Sequence, residues 1–185
     1  SLGCEVTLFE PEDRVLMHEE PFAGELVDRA LREKHGVNLI TGVEVESVRE
    51  SAGRITVRAG GEEYEAAELL VATGRRPRTD QIGLESIGIE GGGHLETGDD
   101  YRVPGHGWLY AVGDVNGRSL LTHTGKYQAW VGVQTLLGHE VENRAEAAGP
   151  PRVTFTNPQV AASGLTLAEA TDRGIDAVAI DVDTN

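Results

Sequence analysis

A single cysteine, Cys4, stands among 185 residues, which excludes an internal disulfide and any cysteine cluster around a metal. That scarcity fits a reducing compartment, and a cytoplasmic setting is expected. Cys4 precedes a β-rich run and reads as a small buried hydrophobe. Basic residues are also short: 16 Lys and Arg face 31 Asp and Glu, a formal charge of −15. Nucleic-acid phosphates and anionic membranes both demand a basic face, so neither is expected as a partner. The acidity reads as a well-solvated surface. No apolar run approaches the roughly 18–20 residues of a membrane span, and the first residues carry no charged-then-apolar pattern. What is present is ordinary for a globular chain: 39% hydrophobic and 25% charged residues, enough for one domain or two small ones.

The order of elements reads as α/β. Gly3 resembles the left-handed terminator of a helix whose body is missing, so the chain reads as a piece of something longer. Residues 5–10 are a β-rich run ending in an acid. Between residues 20 and 34, Phe22, Leu26, Ala30 and Leu31 recur at helical spacing, with Pro21 suited to the first turn. Residues 37–40 read as a short strand. Residues 43–49 and 54–59 alternate around Ser51-Ala52-Gly53, a hairpin signal, and Gly60-Gly61 turns the chain into residues 63–66. Residues 68–73 read as a buried strand delivering Gly74-Arg75-Arg76-Pro77. Residues 83–103 lack a sustained period and read as a connection between domains. A strand is expected at 108–112, a helix at 122–137 and a polar linker at 138–151. Beyond lie a strand at 152–156, a short helix at 167–173 opened by Thr166 with Glu169 as its capping pair, and an alternating strand at 176–182.

Chemistry gathers at the strand ends. Glu10 closes a strand, and an acid at the end of the second strand of a dinucleotide fold accepts hydrogen bonds from the adenosine ribose. That favours NAD over its 2′-phosphorylated relative; a solvated acid is the other reading. Gly74 has no side chain to hold a ligand off the backbone. The arginines beside it, Arg75 and Arg76, suit phosphates, an interdomain ion pair or plain solvation. Asp114, after Val112-Gly113, is placed to accept from a sugar-like hydroxyl, with a plain Gly-Asp turn as the alternative. Leu121-Thr122-His123 then opens a helix whose first amides lack internal partners and favour an anion or an electron-rich ring carbonyl. His123 reads either as a surface histidine or as an acid–base group.

Taken in order, Thr73-Gly74-Arg75-Arg76-Pro77, a glycine-rich crossing, Tyr110-Ala111-Val112-Gly113-Asp114, Leu121-Thr122-His123 and Thr156-Asn157-Pro158-Gln159-Val160-Ala161 form a series. That series resembles, nearly end to end, the flavoprotein disulfide reductases, the class I pyridine nucleotide–disulfide oxidoreductases with dihydrolipoamide dehydrogenase and mercuric reductase among them. The resemblance implies an α/β fold, a partial FAD/NAD(P)-binding Rossmann-like unit followed by the start of an α+β dimerisation domain. Residues 1–76 correspond to the later part of the NAD(P)-binding domain, 77–149 to the returning segment of the FAD-binding domain, and 150–185 to the start of the dimerisation domain. By resemblance Glu10 is the adenosine-ribose ligand, while Val43 and Gly74 line the nucleotide. Gly113 and Asp114 meet the ribityl–phosphate portion of the flavin. Leu120, Leu121, Thr122 and His123 lie against its ring, the last amides facing the N1–C2=O side.

The same resemblance implies FAD and NAD as cofactors, with NADP admitted because Arg14 follows close behind Glu10. It implies a homodimer acting on a disulfide or small-molecule substrate, with hydride passing from NAD(P)H through the flavin. Both family glycine motifs, the Cys-x4-Cys pair and the C-terminal His-Glu pair are absent from these residues. Cys4 matches no redox position. The piece is therefore expected to hold two cofactor half-sites, no catalytic residue and no metal, and to be inactive alone. Lys126-Tyr127-Gln128-Ala129 departs from the acids typical of the dehydrogenases, leaving the acceptor open. Two other readings stand beside this one: a non-catalytic nucleotide-binding module, and a non-disulfide flavoprotein reductase or monooxygenase. The Asn157-Pro158 signature speaks against the latter.

Overall fold

Short β-rich runs separated by glycine turns define the architecture, which a computed structural model describes for residues 3–147 and 149–182. The expected helix end at Ser1-Leu2 and the last three residues, 183–185, lie outside the described residues. The chain packs as two units, Ser1–Ala72 with Val153–Asn185, and Thr73–Arg152. Among the described residues no helix is long and apolar enough to cross a membrane.

In the first unit, β1 (Thr7–Glu10) and β2 (Asn38–Thr41) pair in parallel with Glu10 opposite Thr41. A parallel pair needs a crossover, and α1 (Pro21–Arg29), extended by a π-helical turn at Ala30–Lys34, supplies it. The buried face of α1 is Ala23, Gly24, Val27 and Ala30, whereas Phe22 and Leu26, expected on the apolar face, are exposed. Gly24 decides this phase. A Cβ there would stand 2.5 Å from the Val15 carbonyl oxygen, so only glycine lets the helix lie against the preceding loop. Val15, Val27 and Leu39 form the core, with Leu8, Leu31, Val37 and Val160 packed around them. Arg14 braces the same loop by donating to the carbonyls of Val15, Leu16, Met17 and Glu19 at 2.8–3.3 Å.

A three-stranded antiparallel meander follows, β3 (Val45–Ser51), β4 (Arg54–Ala59) and β5 (Glu62–Ala66). Its turns at Ala52-Gly53 (φ 50° and 75°) and Gly60-Gly61 (φ 59° and 81°) have the left-handed pairs that two-residue hairpins require. The Phe9 and Tyr64 rings meet edge to face at 5.0 Å and seat the meander on β1. At the far end of the chain, β8 (Arg152–Thr154) pairs with β9 (Val160–Ala162). The helix α4 (Leu167–Asp172) then opens on the expected capping box. Glu169 N–H donates to Thr166 Oγ1 at 3.2 Å, and Thr166 N–H to Glu169 Oε2 at 2.8 Å.

The second unit contains the hairpin β6 (Arg102–Val103) and β7 (His106–Tyr110), then α2 (Thr122–Leu136) and a one-turn helix α3 (Arg144–Ala147). Residues 83–103 are not a mere connection. They lie within this unit and bring Leu84, Leu95 and Val103 to its core beside Ala111. Thr79 pins the returning chain, its hydroxyl donating to Gly93 O at 2.7 Å and accepting from Gly92 N–H at 2.9 Å.

Three other expectations are corrected. Residues 68–73 form no strand, and Leu70 and Val71 are 90% and 68% exposed. A strand needs a neighbour for its N–H and C=O groups, and the β1–β2 pair ends without recruiting this segment. Residues 176–182 are likewise unpaired, with Val178, Ile180 and Val182 exposed. Cys4 is exposed as well, because β1 begins only at Thr7 and leaves residues 3–6 outside the sheet.

The capping box gives a local test. Thr166→Ala should cost α4 about 1 kcal/mol, read as roughly fivefold faster amide exchange over Leu167–Asp172 with β1 and β2 unchanged.

Candidate functional site

The chain leaves β7 extended at Val112, turns at Gly113 with φ +78°, and forms one 3₁₀ turn, Gly113–Asn116, closed by Gly117 at φ +70°. A side chain is strained at such a φ, so glycine at 113 is a conformational requirement. Helix α2 lies directly against this turn. A Cβ on Gly125 would stand 3.2 Å from the Gly113 Cα, so glycine here permits the close approach. That contact carries the fully buried Gln128 beneath the turn. Its Oε1 accepts from Gly113 N–H at 2.6 Å and from Asn116 Nδ2 at 2.9 Å, while its Nε2 donates to Glu146 Oε1. Asn116 Nδ2 also donates to Ala111 O at 3.0 Å.

Outside this amide, Arg118 Nε lies 2.8 Å from Glu146 Oε2, and the same guanidinium donates to Gly98 O and Asp99 Oδ1. Arg118 lies over the buried Tyr101 ring, whose hydroxyl accepts from Asn143 Nδ2 at 2.6 Å. Burial, and then the Glu146 carboxylate, push the Tyr101 phenol above its usual range. Residues 138–151, expected as a solvated linker, thus send Asn143 and Glu146 into the interior of this unit.

Asp114 itself is exposed, as a group meeting a ligand must be. Its Oδ2 is 3.1 Å from Arg75 Nη1, which also donates to Leu120 O at 3.3 Å. The arginine after Gly74 therefore ties the Gly-Asp turn to the segment entering α2. Leu121 holds the N-cap position in an extended conformation and offers no side-chain cap to the first-turn amides. Thr124, buried in that first turn, has a hydroxyl with no hydrogen-bond partner. His123 is exposed and its Nε2 lies 2.6 Å from Pro151 O. A carbonyl only accepts, so this nitrogen carries the proton.

A second group stands in the other unit at the carboxyl ends of β1 and β2, where parallel α/β sheets present their ligand sites. Glu10 Oε1 accepts from Glu12 N–H at 3.2 Å, and Val43 N–H donates to Glu10 O at 3.4 Å. Gly113, Asp114, Leu120, Leu121, Thr122 and His123 thus form one cluster with Arg75, and Glu10 and Val43 another. Gly74, at φ +128°, directly precedes the arginine of the first cluster. Sequence reasoning missed Asn116, Arg118, Thr124, Gln128 and Glu146. The signal for two of them is legible in retrospect: Thr124 and Gln128 stand four residues apart on the helix face that also carries the buried Val131 and Gly132. Among the described residues no group of His, Cys, Asp and Glu converges as a metal site.

An acid ends a parallel strand in one unit and a Gly-Asp turn meets an uncapped helix start in the other, the kind of features that α/β proteins present at ligand sites. The family is more particular. Residues 1–135 match the model for pyridine nucleotide-disulphide oxidoreductase, and the chain belongs to that family of oxidoreductases, which use FAD and NAD(P)H. It is 34% identical over 180 residues to a mercuric reductase of Lysinibacillus sphaericus, covering 95% of this chain and 33% of that protein. It is 32% identical over 181 residues to a dihydrolipoyl dehydrogenase of Mycobacterium bovis, covering 95% of this chain and 39% of the other. Among solved structures it superimposes on LpdA from Mycobacterium tuberculosis with a TM-score of 0.83 at 26% identity, over 95% of this chain and 38% of that one. The Rossmann-like α/β fold expected from the sequence is the fold of these relatives. The chain spans about a third of the length of the curated relatives it matches.

The residues present suit both cofactors of the family. The α2 start offers amides without a side-chain cap and a buried, unpartnered Thr124 hydroxyl. Glycines stand at 113 and 125, where a side chain would be strained or crowded. Asp114 and Glu10 add carboxylates able to accept from hydroxyls.

The Arg118–Glu146 contact should be structural. Arg118→Met should leave a nearly buried carboxylate without its cation and cost roughly 1–3 kcal/mol. Urea unfolding should show this loss, and Glu146→Gln should recover part of it in the Arg118→Met background.

Proposed function

We propose that these residues supply two cofactor half-sites of an FAD-dependent pyridine nucleotide–disulfide oxidoreductase that passes a hydride from NADH through flavin to a disulfide or related acceptor. The observation that carries this reading is the junction of the Gly113-Asp114 turn with the uncapped start of α2 in a chain of that family. When bound, the flavin supplies the hydride and electron chemistry, and the protein supplies binding, orientation and electrostatics. Asp114 accepts from hydroxyls of the ribityl chain while Arg75 holds its carboxylate toward the segment at Leu120. The amides at Leu121, Thr122 and His123 meet the ring, where the partial positive charge of the helix start stabilises negative charge. His123 Nε2 donates to Pro151 O.

At the other half-site Glu10 accepts from the adenosine ribose, with Val43 along the nucleotide. A 2′-phosphate would put like charges together there. Arg14, the cation that would relieve that repulsion, is committed to four backbone carbonyls. NADH is therefore the favoured coenzyme. Residues 1–76 belong to the NAD(P)-binding domain, 77–149 to the FAD-binding domain and 150–185 to the start of a dimerisation domain. The exposed Phe155, Val178 and Ile180 support a homodimer contact at this last segment. The remaining halves of both sites, and the redox-active groups, come from residues outside these 185, consistent with the third of each relative that the chain spans. The setting is cytoplasmic.

Two substitutions in the longer protein that carries this chain test the reading. Asp114→Ala should strip most of the flavin, measured as visible absorbance per protein; full flavin occupancy in that variant would sink the assignment. Glu10→Ala should reduce the preference for NADH over NADPH by roughly tenfold, as for one charged hydrogen bond. Steady-state kinetics with both coenzymes would show it, and an unchanged ratio would remove Glu10 from the nucleotide site.

A further inference from the structure

We infer that Gln128 is a positioning residue of the flavin half-site: its buried amide, matched donor to acceptor with Glu146, fixes the Gly113 N–H and through it the direction of Asp114. This rests on the flavin reading above and deepens it. Gln128 touches neither Asp114 nor the exposed face of the turn. It lies fully buried, and each of its polar atoms is assigned. Oε1 accepts from Gly113 N–H at 2.6 Å and from Asn116 Nδ2 at 2.9 Å, while Nε2 donates to Glu146 Oε1.

The chemistry at position 128 is tightly constrained. The turn presents two N–H donors to it, so the inner oxygen must accept. The outer partner is a carboxylate, so the outer atom must donate. Glutamine does both, an ionised glutamate only accepts, and an apolar side chain does neither. An acid at 128 would set two carboxylates in contact in a partly buried space where Arg118 already serves Glu146. Glu146 in turn is held from one side by Arg118, which is itself fixed by Gly98 O, Asp99 and the Tyr101 ring. The chain of contacts from Arg118 to Gly113 therefore has a single sense of donors and acceptors.

That sense matters because Gly113 is the residue with φ +78° that turns the backbone toward Asp114. Without an acceptor for its N–H, the turn loses the bond that opposes relaxation to other backbone states, which glycine populates freely. Asp114 would then present its carboxylate over a range of directions rather than one. Thr124 and Gly125, one turn earlier on α2, would keep their packing. The expected result is a folded protein with weakened flavin affinity.

The test uses the longer flavoprotein that carries this chain, with FAD titrated into the apoprotein and bound flavin read by fluorescence quenching. Gln128→Leu and Gln128→Glu should each raise the FAD dissociation constant by about tenfold or more, as for loss of a buried hydrogen bond. The exchanged pair Gln128→Glu with Glu146→Gln restores one acceptor for Gly113 and one donor facing it. It should bring affinity back to within about threefold of the parent. Gly113 amide exchange, measured on apoprotein, should be protected in the parent and in the exchanged pair, and fast in Gln128→Leu. A Gln128→Glu protein that binds FAD as tightly as the parent would overturn the inference. So would an exchanged pair that folds with the parent melting temperature yet fails to recover. A parent protein that takes up no FAD would defeat the flavin reading instead, and the clamp would then stand or fall on the Gly113 exchange rates alone.

Discussion

Helix α2 reaches the turn after β7 because two glycines face each other, Gly125 on the helix and Gly113 on the turn, with room for less than a methyl group between them. Much of the second unit follows from that approach. Once the backbones touch, the helix delivers Gln128 into the interior one turn further on, where a primary amide cannot remain unsatisfied without cost. Asn116, Glu146 and Arg118 answer that demand, and they come from the turn, from the segment after the helix and from the loop between. A one-turn helix at Arg144–Ala147 thereby acquires a reason to exist in a stretch whose composition reads as linker. The exposed carboxylate of Asp114 is the outward end of this buried arrangement.

Signals that act within a few residues were legible. The Thr166–Glu169 capping box, the two glycine hairpin turns and the bounds of α2 all stand where local chemistry puts them, because each needs only neighbours in sequence. Misreadings arose where burial depends on distant partners. Residues 68–73 have the composition of a core strand, yet no strand among the described residues pairs with them. Cys4 has the character of a buried residue and stays exposed for want of cover. The phase of α1 was misjudged for a related reason. Hydrophobicity placed Phe22 and Leu26 inward, but the tight contact of Gly24 with Val15 O, nine residues back, turned the helix otherwise. The Gln128–Glu146 bond crosses eighteen positions and leaves only a faint trace, a polar side chain in the buried phase of a helix.

A similar division appears in the arginines. The chain is strongly acidic, and several of its few cations serve as clasps. Arg14 is spread over four carbonyls, Arg75 joins Asp114 to Leu120 O, and Arg118 gathers Gly98 O, Asp99 and Glu146. Each closes a loop that borders one of the two candidate half-sites. In the proposed half-sites the polar side chains facing a ligand are then Glu10 and Asp114, acceptors suited to hydroxyls and hostile to an added phosphate. Anionic or electron-rich groups are left to backbone amides, above all those at the uncapped start of α2. Such a division favours ligands rich in sugar hydroxyls whose negative charge sits at helix starts, which is the chemistry of a dinucleotide. Arg14, held by four backbone carbonyls, braces the loop that follows Glu10.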